Sequence, residues 1–395
     1  MKKHWFFRFI LGSLAFLIAC SKAGCDGLRR DGSATENCTE SNRDTLQAVW
    51  RYEYEPVEIS PQTPPEVVDV DGNSVVLFAG QARLNALRVD NGDVEWSSEL
   101  DPKMELYCDG LTLGPTTIFC SHRFKALSWS LQDGEQRWEF EPPNGSVSGK
   151  EFYDLGYYSL SPDYFWGSGR GGRVFGVDRE TGELVHEWKY ESRTTGIAYQ
   201  DSALYLGRYR DSEQGQGFGS LAKVDASSGD SLWVFEPEYG AFITMRPMLH
   251  DGRVYAGTAA YSEKGVFVAL DQETGEVIWR NRNARVYWAI WAETPNGSRI
   301  FVNNGRELIA LNPEDGGTLW RSDMPGHGEA GLAYLDGYVY HPHGQGLRVV
   351  DAETGEIVHV EWPENGYFWE VGTGAGKVFA QDSGALYAFE PYSPE

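Results

Sequence analysis

Residues 266–279 read VFVALDQETGEVIW, and this stretch decides the fold. It is an apolar strand, a turn built on Asp271 and Gly275, and a second short strand ending at Trp279. The pattern returns as ALRVDNGDVEW (86–96), ALSWSLQDGEQRW (126–138), VFGVDRETGELVHEW (174–188), LAKVDASSGDSLW (221–233), LIALNPEDGGTLW (308–320) and LRVVDAETGEIVH (347–359). Four residues after the turn glycine stands Trp96, Trp138, Trp233, Trp279 or Trp320, and in two repeats the slot holds His186 or His359. From Trp96 onward these markers are 42, 48, 47, 46, 41 and 39 residues apart. Such a period holds about four strands, which is one blade of a propeller.

The other half of each repeat supplies the remaining strands. VVDVDGNSVVLFAG (67–80), MLHDGRVYAGTA (248–259) and LAYLDGYVYHPHG (332–344) each read as strand, Asp-Gly turn, strand. Blades with apolar faces bury them only by stacking, and closing the stack into a ring removes its two open faces. The last repeat, 367–390, holds three strands, and LQAVWRYEY (46–54) offers a fourth, with Trp50 lying 46 residues before Trp96. The fold expected is therefore all-β, an eight-bladed β-propeller of four-stranded antiparallel blades whose last blade is closed by the N-terminal strand. Seven blades with a decorated terminus is the alternative. The repeated aromatics, Trp50 included, read as groups that dock one blade on the next, with the indole N–H satisfied locally.

The start of the chain speaks to its compartment. Lys2, Lys3 and Arg8 precede an apolar run that ends Leu17, Ile18, Ala19, Cys20, the layout of a secretory signal. The LIAC ending resembles a lipoprotein signal, which implies cleavage before Cys20 and its acylation, and two or three acyl chains anchor firmly. The expected organisation is a signal peptide over 1–19, a flexible polar tether over 20–45 and one propeller over 46–395. Ser21 after the lipidated cysteine favours delivery to the periplasmic face of the outer membrane. The formal net charge of -24 leaves no basic patch for phosphates and argues against nucleic acid. Four further cysteines, Cys25, Cys38, Cys108 and Cys120, suit an oxidising compartment. Their separations favour Cys25 with Cys38 and Cys108 with Cys120, while two other pairings stay open.

Ala269, Asp271, Thr274, Gly275 and Trp279 spell a motif that resembles the tryptophan-docking repeat of pyrroloquinoline-quinone (PQQ) type propellers. The layout as a whole, with lipobox, tether and closing strand, is similar to the BamB family of lipoproteins of the outer-membrane β-barrel assembly machinery. The resemblance implies a non-enzymatic scaffold that binds a periplasmic domain of an outer-membrane assembly protein and unfolded β-barrel clients, held to the membrane by lipid and needing no cofactor. One alternative is a periplasmic PQQ- or metal-dependent oxidoreductase. Quinoprotein dehydrogenases of this kind carry an adjacent cysteine pair, which is absent here, as is a Cys-x-x-Cys-His haem site. A third reading is a propeller lipoprotein that binds another envelope partner.

Candidate partner-binding residues lie in the loops at one end of the ring: Tyr153 and Tyr157 in 141–163, Arg208, Tyr209 and Arg210 in 207–219, then Tyr239, Trp288 and Trp369. His327, His341 and His343 form a weak metal candidate, with the latter two placed in the loop between the second and third strands of the seventh repeat. No catalytic residue is nominated.

Overall fold

The computed structural model describes residues 46–54, 64–80, 83–100, 111–122, 125–143, 157–168, 172–210, 218–237, 242–243, 246–259, 265–284, 286–324, 330–343, 346–364 and 366–394. They form eight antiparallel sheets arranged in chain order: blade 1 over Glu66–Glu99, blade 2 over Thr112–Phe140, blade 3 over Tyr157–Lys189, blade 4 over Arg193–Phe235, blade 5 over Phe242–Asn281, blade 6 over Trp288–Asp323, blade 7 over Ala333–Glu361, and blade 8 over Glu370–Phe389 with Ala48–Glu53. The innermost strand comes first in each of the first seven, and blade 5 has its innermost strand in two pieces, Phe242–Ile243 and Met248–His250. Among the described residues no helix is long and apolar enough to cross a membrane.

Blade 8 is closed as the sequence predicts. Ala48–Glu53 runs antiparallel to Ala385–Phe389, with Trp50 opposite Ala388 and Tyr52 opposite Leu386. The Tyr54 hydroxyl donates to the Asp382 carbonyl at 2.8 Å, and Gln381 Nε2 donates both to that hydroxyl at 2.9 Å and to the Ala79 carbonyl of blade 1 at 2.8 Å.

The repeat motif is a joint between neighbours. In blade 5 the Asp271 carboxylate accepts the Glu273 and Thr274 N–H groups at 3.0 and 2.8 Å and the Thr274 hydroxyl at 2.9 Å. These bonds hold its pKa below the usual carboxylate range, the Thr274 N–H being the leading cause. The turn then needs a positive φ, and Gly275 has φ +72°. Onto that glycine lies Trp233 of blade 4, whose indole N–H donates to the Gln272 carbonyl at 3.2 Å. The same joint recurs as Trp50 to Val89, Trp96 to Leu131, Trp138 to Arg179, Trp279 to Pro313 and Trp320 to Ala352, at 2.8 to 3.0 Å. Each acceptor stands three residues before the glycine that the ring covers.

Two seams depart from the rule. His186 sits at the expected register position, opposite Gly176, but the ring that reaches Gly229 of blade 4 belongs to Trp188. The cause is Trp166 on the adjacent strand, which fills the space over Gly176 and stacks on both His186 and Trp188, at 5.4 and 5.3 Å between centroids. His186 is therefore packed inside blade 3, and Trp188 takes the docking place. At the seam between blades 7 and 8 no hairpin turn exists to receive a ring, because blade 8 is built from both ends of the chain. His359 there bonds the Glu361 carboxylate at 3.1 Å and stacks on Tyr392.

Candidate functional site

Several residues proposed from the sequence lie outside the described residues: Cys20, Cys25, Cys38, Cys108, Tyr153, Tyr239 and His327. Tyr157 opens the innermost strand of blade 3, opposite Ser168. Cys120 is buried in the strand Thr117–His122 and disulfide-bonded.

The residues expected at the rim divide. Trp288, at the head of the innermost strand of blade 6, is 36% exposed; beside Trp369 the structure adds Tyr367, which is 42% exposed and lies 5.7 Å from it between ring centroids. Trp369 itself is half-buried and fixed by its backbone N–H to the Gln381 carbonyl at 2.8 Å. Arg208 and Tyr209, in contrast, are buried. The strand Ala203–Arg210 runs further than the loop reading of 207–219 allowed, so its alternation carries Arg208 into the seam with blade 3. Arg210 ends the strand and pairs with Glu191 at 2.5 Å.

His341 and His343 are likewise not in a loop. The strand Tyr338–His343 includes both, and both are buried. Two residues apart on one face, their rings bring His343 Nδ1 to 3.3 Å from His341 Nε2. Burial holds the His341 pKa well below its usual value, reinforced by His343 and Arg348. Among the described residues no group of three or more His, Cys, Asp or Glu is placed to hold a metal ion.

The axis of the ring carries a polar constellation that sequence reasoning missed in part. Glu66 heads the innermost strand of blade 1, and Arg246 lies between the two pieces of that strand in blade 5, four blades round. Arg246 Nη2 donates to the Ser159 hydroxyl of blade 3 at 3.3 Å, and that hydroxyl also accepts the Tyr199 N–H of blade 4 at 3.0 Å. Burial raises the Glu66 carboxyl to about 7, with Arg246 pulling the other way. Arg246 keeps exposed surface, yet the protein atoms crowded around it desolvate the guanidinium and lower its pKa, opposed by Tyr158 and Glu66. Glu66 follows two prolines, and no local pattern in the sequence marks it as facing the axis.

A family model described as "Outer membrane protein assembly factor BamB" matches residues 170–290 and 263–391. The chain belongs to this family. Among curated proteins it is 23% identical over 341 residues to the outer membrane protein assembly factor BamB of Yersinia pestis, covering 80% of this chain and 82% of that one. It is also 28% identical over 165 residues to a quinohemoprotein alcohol dehydrogenase of Comamonas testosteroni, a match that spans 38% of this chain and only 21% of the dehydrogenase. Among solved structures, BamB from Moraxella catarrhalis superposes with a TM-score of 0.62 at 14% identity, covering 89% of this chain and 99% of that one. A europium-containing methanol dehydrogenase superposes with a TM-score of 0.67 at 12% identity, covering 88% and 93%. At such identities the superpositions establish the shared propeller alone.

The chain has no adjacent cysteine pair, and side chains of blades 1, 3 and 5 face one another across the axis.

Proposed function

We propose that this chain is a non-enzymatic scaffold lipoprotein at the periplasmic face of the outer membrane, where it binds a periplasmic domain of an outer-membrane assembly protein and assists insertion of β-barrel proteins. The observation that carries this reading is the family match over more than half of the chain, joined to a ring closed by its own N-terminal strand. Support for a binding face comes from Trp288 and Tyr367, aromatic rings left exposed at the ends of innermost strands. Residues 1–19 act as the signal, Cys20 carries the lipid, residues 20–45 are the tether, and Cys108 is the partner of Cys120.

The test is direct binding of the purified ring to the purified periplasmic domain of the barrel-assembly protein from the same cell. The expected result is saturable binding that is lost when residues 211–217 are deleted. Absence of binding, together with dye-linked alcohol oxidation after loading with PQQ and calcium, would overturn the scaffold reading in favour of an oxidoreductase. Mass spectrometry of the membrane-extracted protein is expected to find acyl chains on Cys20 and a peptide pair linking Cys108 to Cys120.

A further inference from the structure

The seam between blades 3 and 4 holds a cation, Arg208, that no carboxylate pairs with among the described residues. Arg208 is 9% exposed, and two of its donors, Nε and Nη2, have no hydrogen-bond partner. These two form the side-on edge of the guanidinium, the edge that grips a carboxylate or phosphate with two parallel bonds. The plane of the group is set by Tyr190, whose ring centre lies 4.1 Å from the guanidinium carbon. Tyr190 is itself fixed by its hydroxyl, which donates to the Gly229 carbonyl at 2.9 Å.

A second orphan stands beside the first. Thr194 faces Arg208 directly in the register of the neighbouring strand, so both side chains leave the same face of the sheet. Thr194 is 1% exposed, and its hydroxyl also lacks a partner. Burial lowers the Arg208 pKa, and Tyr190 alone opposes that shift among the described residues. A buried charge without a counter-ion is among the costliest features a fold can keep, and cation–π stacking offsets only part of that cost. Buried donors of this kind are ordinarily satisfied in a native fold, by protein, ordered water or a bound group.

The seam is also built differently from its neighbours. Trp188 covers Gly229, yet among the described residues it makes no indole-to-carbonyl bond of the kind seen at six other seams. That contact is therefore held by packing, with no such bond to break. We propose that the open edge of Arg208 and the Thr194 hydroxyl form an oxyanion site, taking a carboxylate or phosphate group that enters the seam between the third and fourth blades. The inference is independent of the scaffold reading.

The test uses the full-length protein with 15N-labelled arginine, following the Arg208 Nε–H resonance at constant ionic strength. Sodium acetate, sodium phosphate and a blocked Asp-Glu-Asp peptide are titrated separately to about 100 mM, which reaches even weak sites. A saturable shift with either small anion assigns the site to free oxyanions, and a shift with the peptide alone assigns it to acidic side chains of a bound partner. In both cases Thr194→Val, an isosteric change, is expected to weaken binding by about 10-fold, the worth of one hydrogen bond to a charged group. Arg208→Lys is expected to weaken it further, since it loses the fork. The proposal is overturned by the absence of a saturable shift with every probe, or by a shift that Thr194→Val leaves unchanged.

Discussion

Two glycines of blade 5 separate the worth of the blade joint from the worth of backbone freedom. Gly275 and Gly252 have nearly the same φ, +72° and +71°. A Cβ built on Gly252 meets nothing within 4 Å, while one on Gly275 lies 2.6 Å from Trp233 Cδ2. Gly252→Ala therefore reports the left-handed conformation alone, a loss of about 1 kcal/mol once the lower entropy of the unfolded alanine chain is counted. Gly275→Ala carries that loss and must also push the indole outward. Overpacking of this kind costs about 1–3 kcal/mol, and stretching the bond from Trp233 to the Gln272 carbonyl, already 3.2 Å, adds about 1 kcal/mol. The expected difference between the variants is thus about 2–4 kcal/mol. Equilibrium urea unfolding, followed by far-ultraviolet circular dichroism, measures it directly. Equal destabilisation, within about 0.5 kcal/mol at unchanged m-value, would refute the view that the glycine is there to receive the ring.

Trp188→Ala is expected to destabilise by about 3–5 kcal/mol and His186→Ala by clearly less, and the reverse order in urea unfolding would restore His186 as the docking group. The His341 pKa is depressed in the folded state, so below about 6.5 the unfolded chain takes up a proton that the folded one refuses. Stability should fall as the pH drops from 7 to 5, and His341→Gln should flatten that slope; an unchanged slope would show that His341 takes up its proton alike in the folded and unfolded chain. Glu66 works in the opposite sense, because its folded pKa is raised to about 7. Its stabilising contribution is present at pH 4 and lost as the pH rises through 7, so Glu66→Gln should gain on the wild type at pH 8 and match it at pH 4, as compared by thermal unfolding.

The turn glycines and the aromatic four residues beyond them made the blades legible, because a recurring local joint leaves a recurring string. The closing strand was legible for the same reason, Trp50 falling on the period. What escaped was decided between strands rather than along one. Counting from Gly182 selects His186, but Trp166 lies on another strand, and its bulk over Gly176 is what hands the joint to Trp188. The polar, glycine-rich run over 207–219 points to a loop at Arg208 and Tyr209, whereas the ladder to Phe218–Asp225 continues through Arg210. The repeat spacing puts His341 and His343 in the loop after the second strand, but that strand runs on through them, with Pro342 opposite Leu347. The meeting of Glu66, Arg246 and Ser159 joins residues from blades 1, 5 and 3, and no spacing in the chain encodes it.

The pairing of Ala48–Glu53 with Ala385–Phe389 has a consequence in time. The first strand to be synthesised finds its partner only when the last has followed it, some 330 residues later. Closing so long a loop is slow, and every other blade has its four strands in hand before that step begins. A chain interrupted in synthesis or export can stack its early blades but cannot shut the ring, and it keeps an apolar end face on display. Closure thus marks the point at which that face is buried, so the ring is complete only when both of its ends are present.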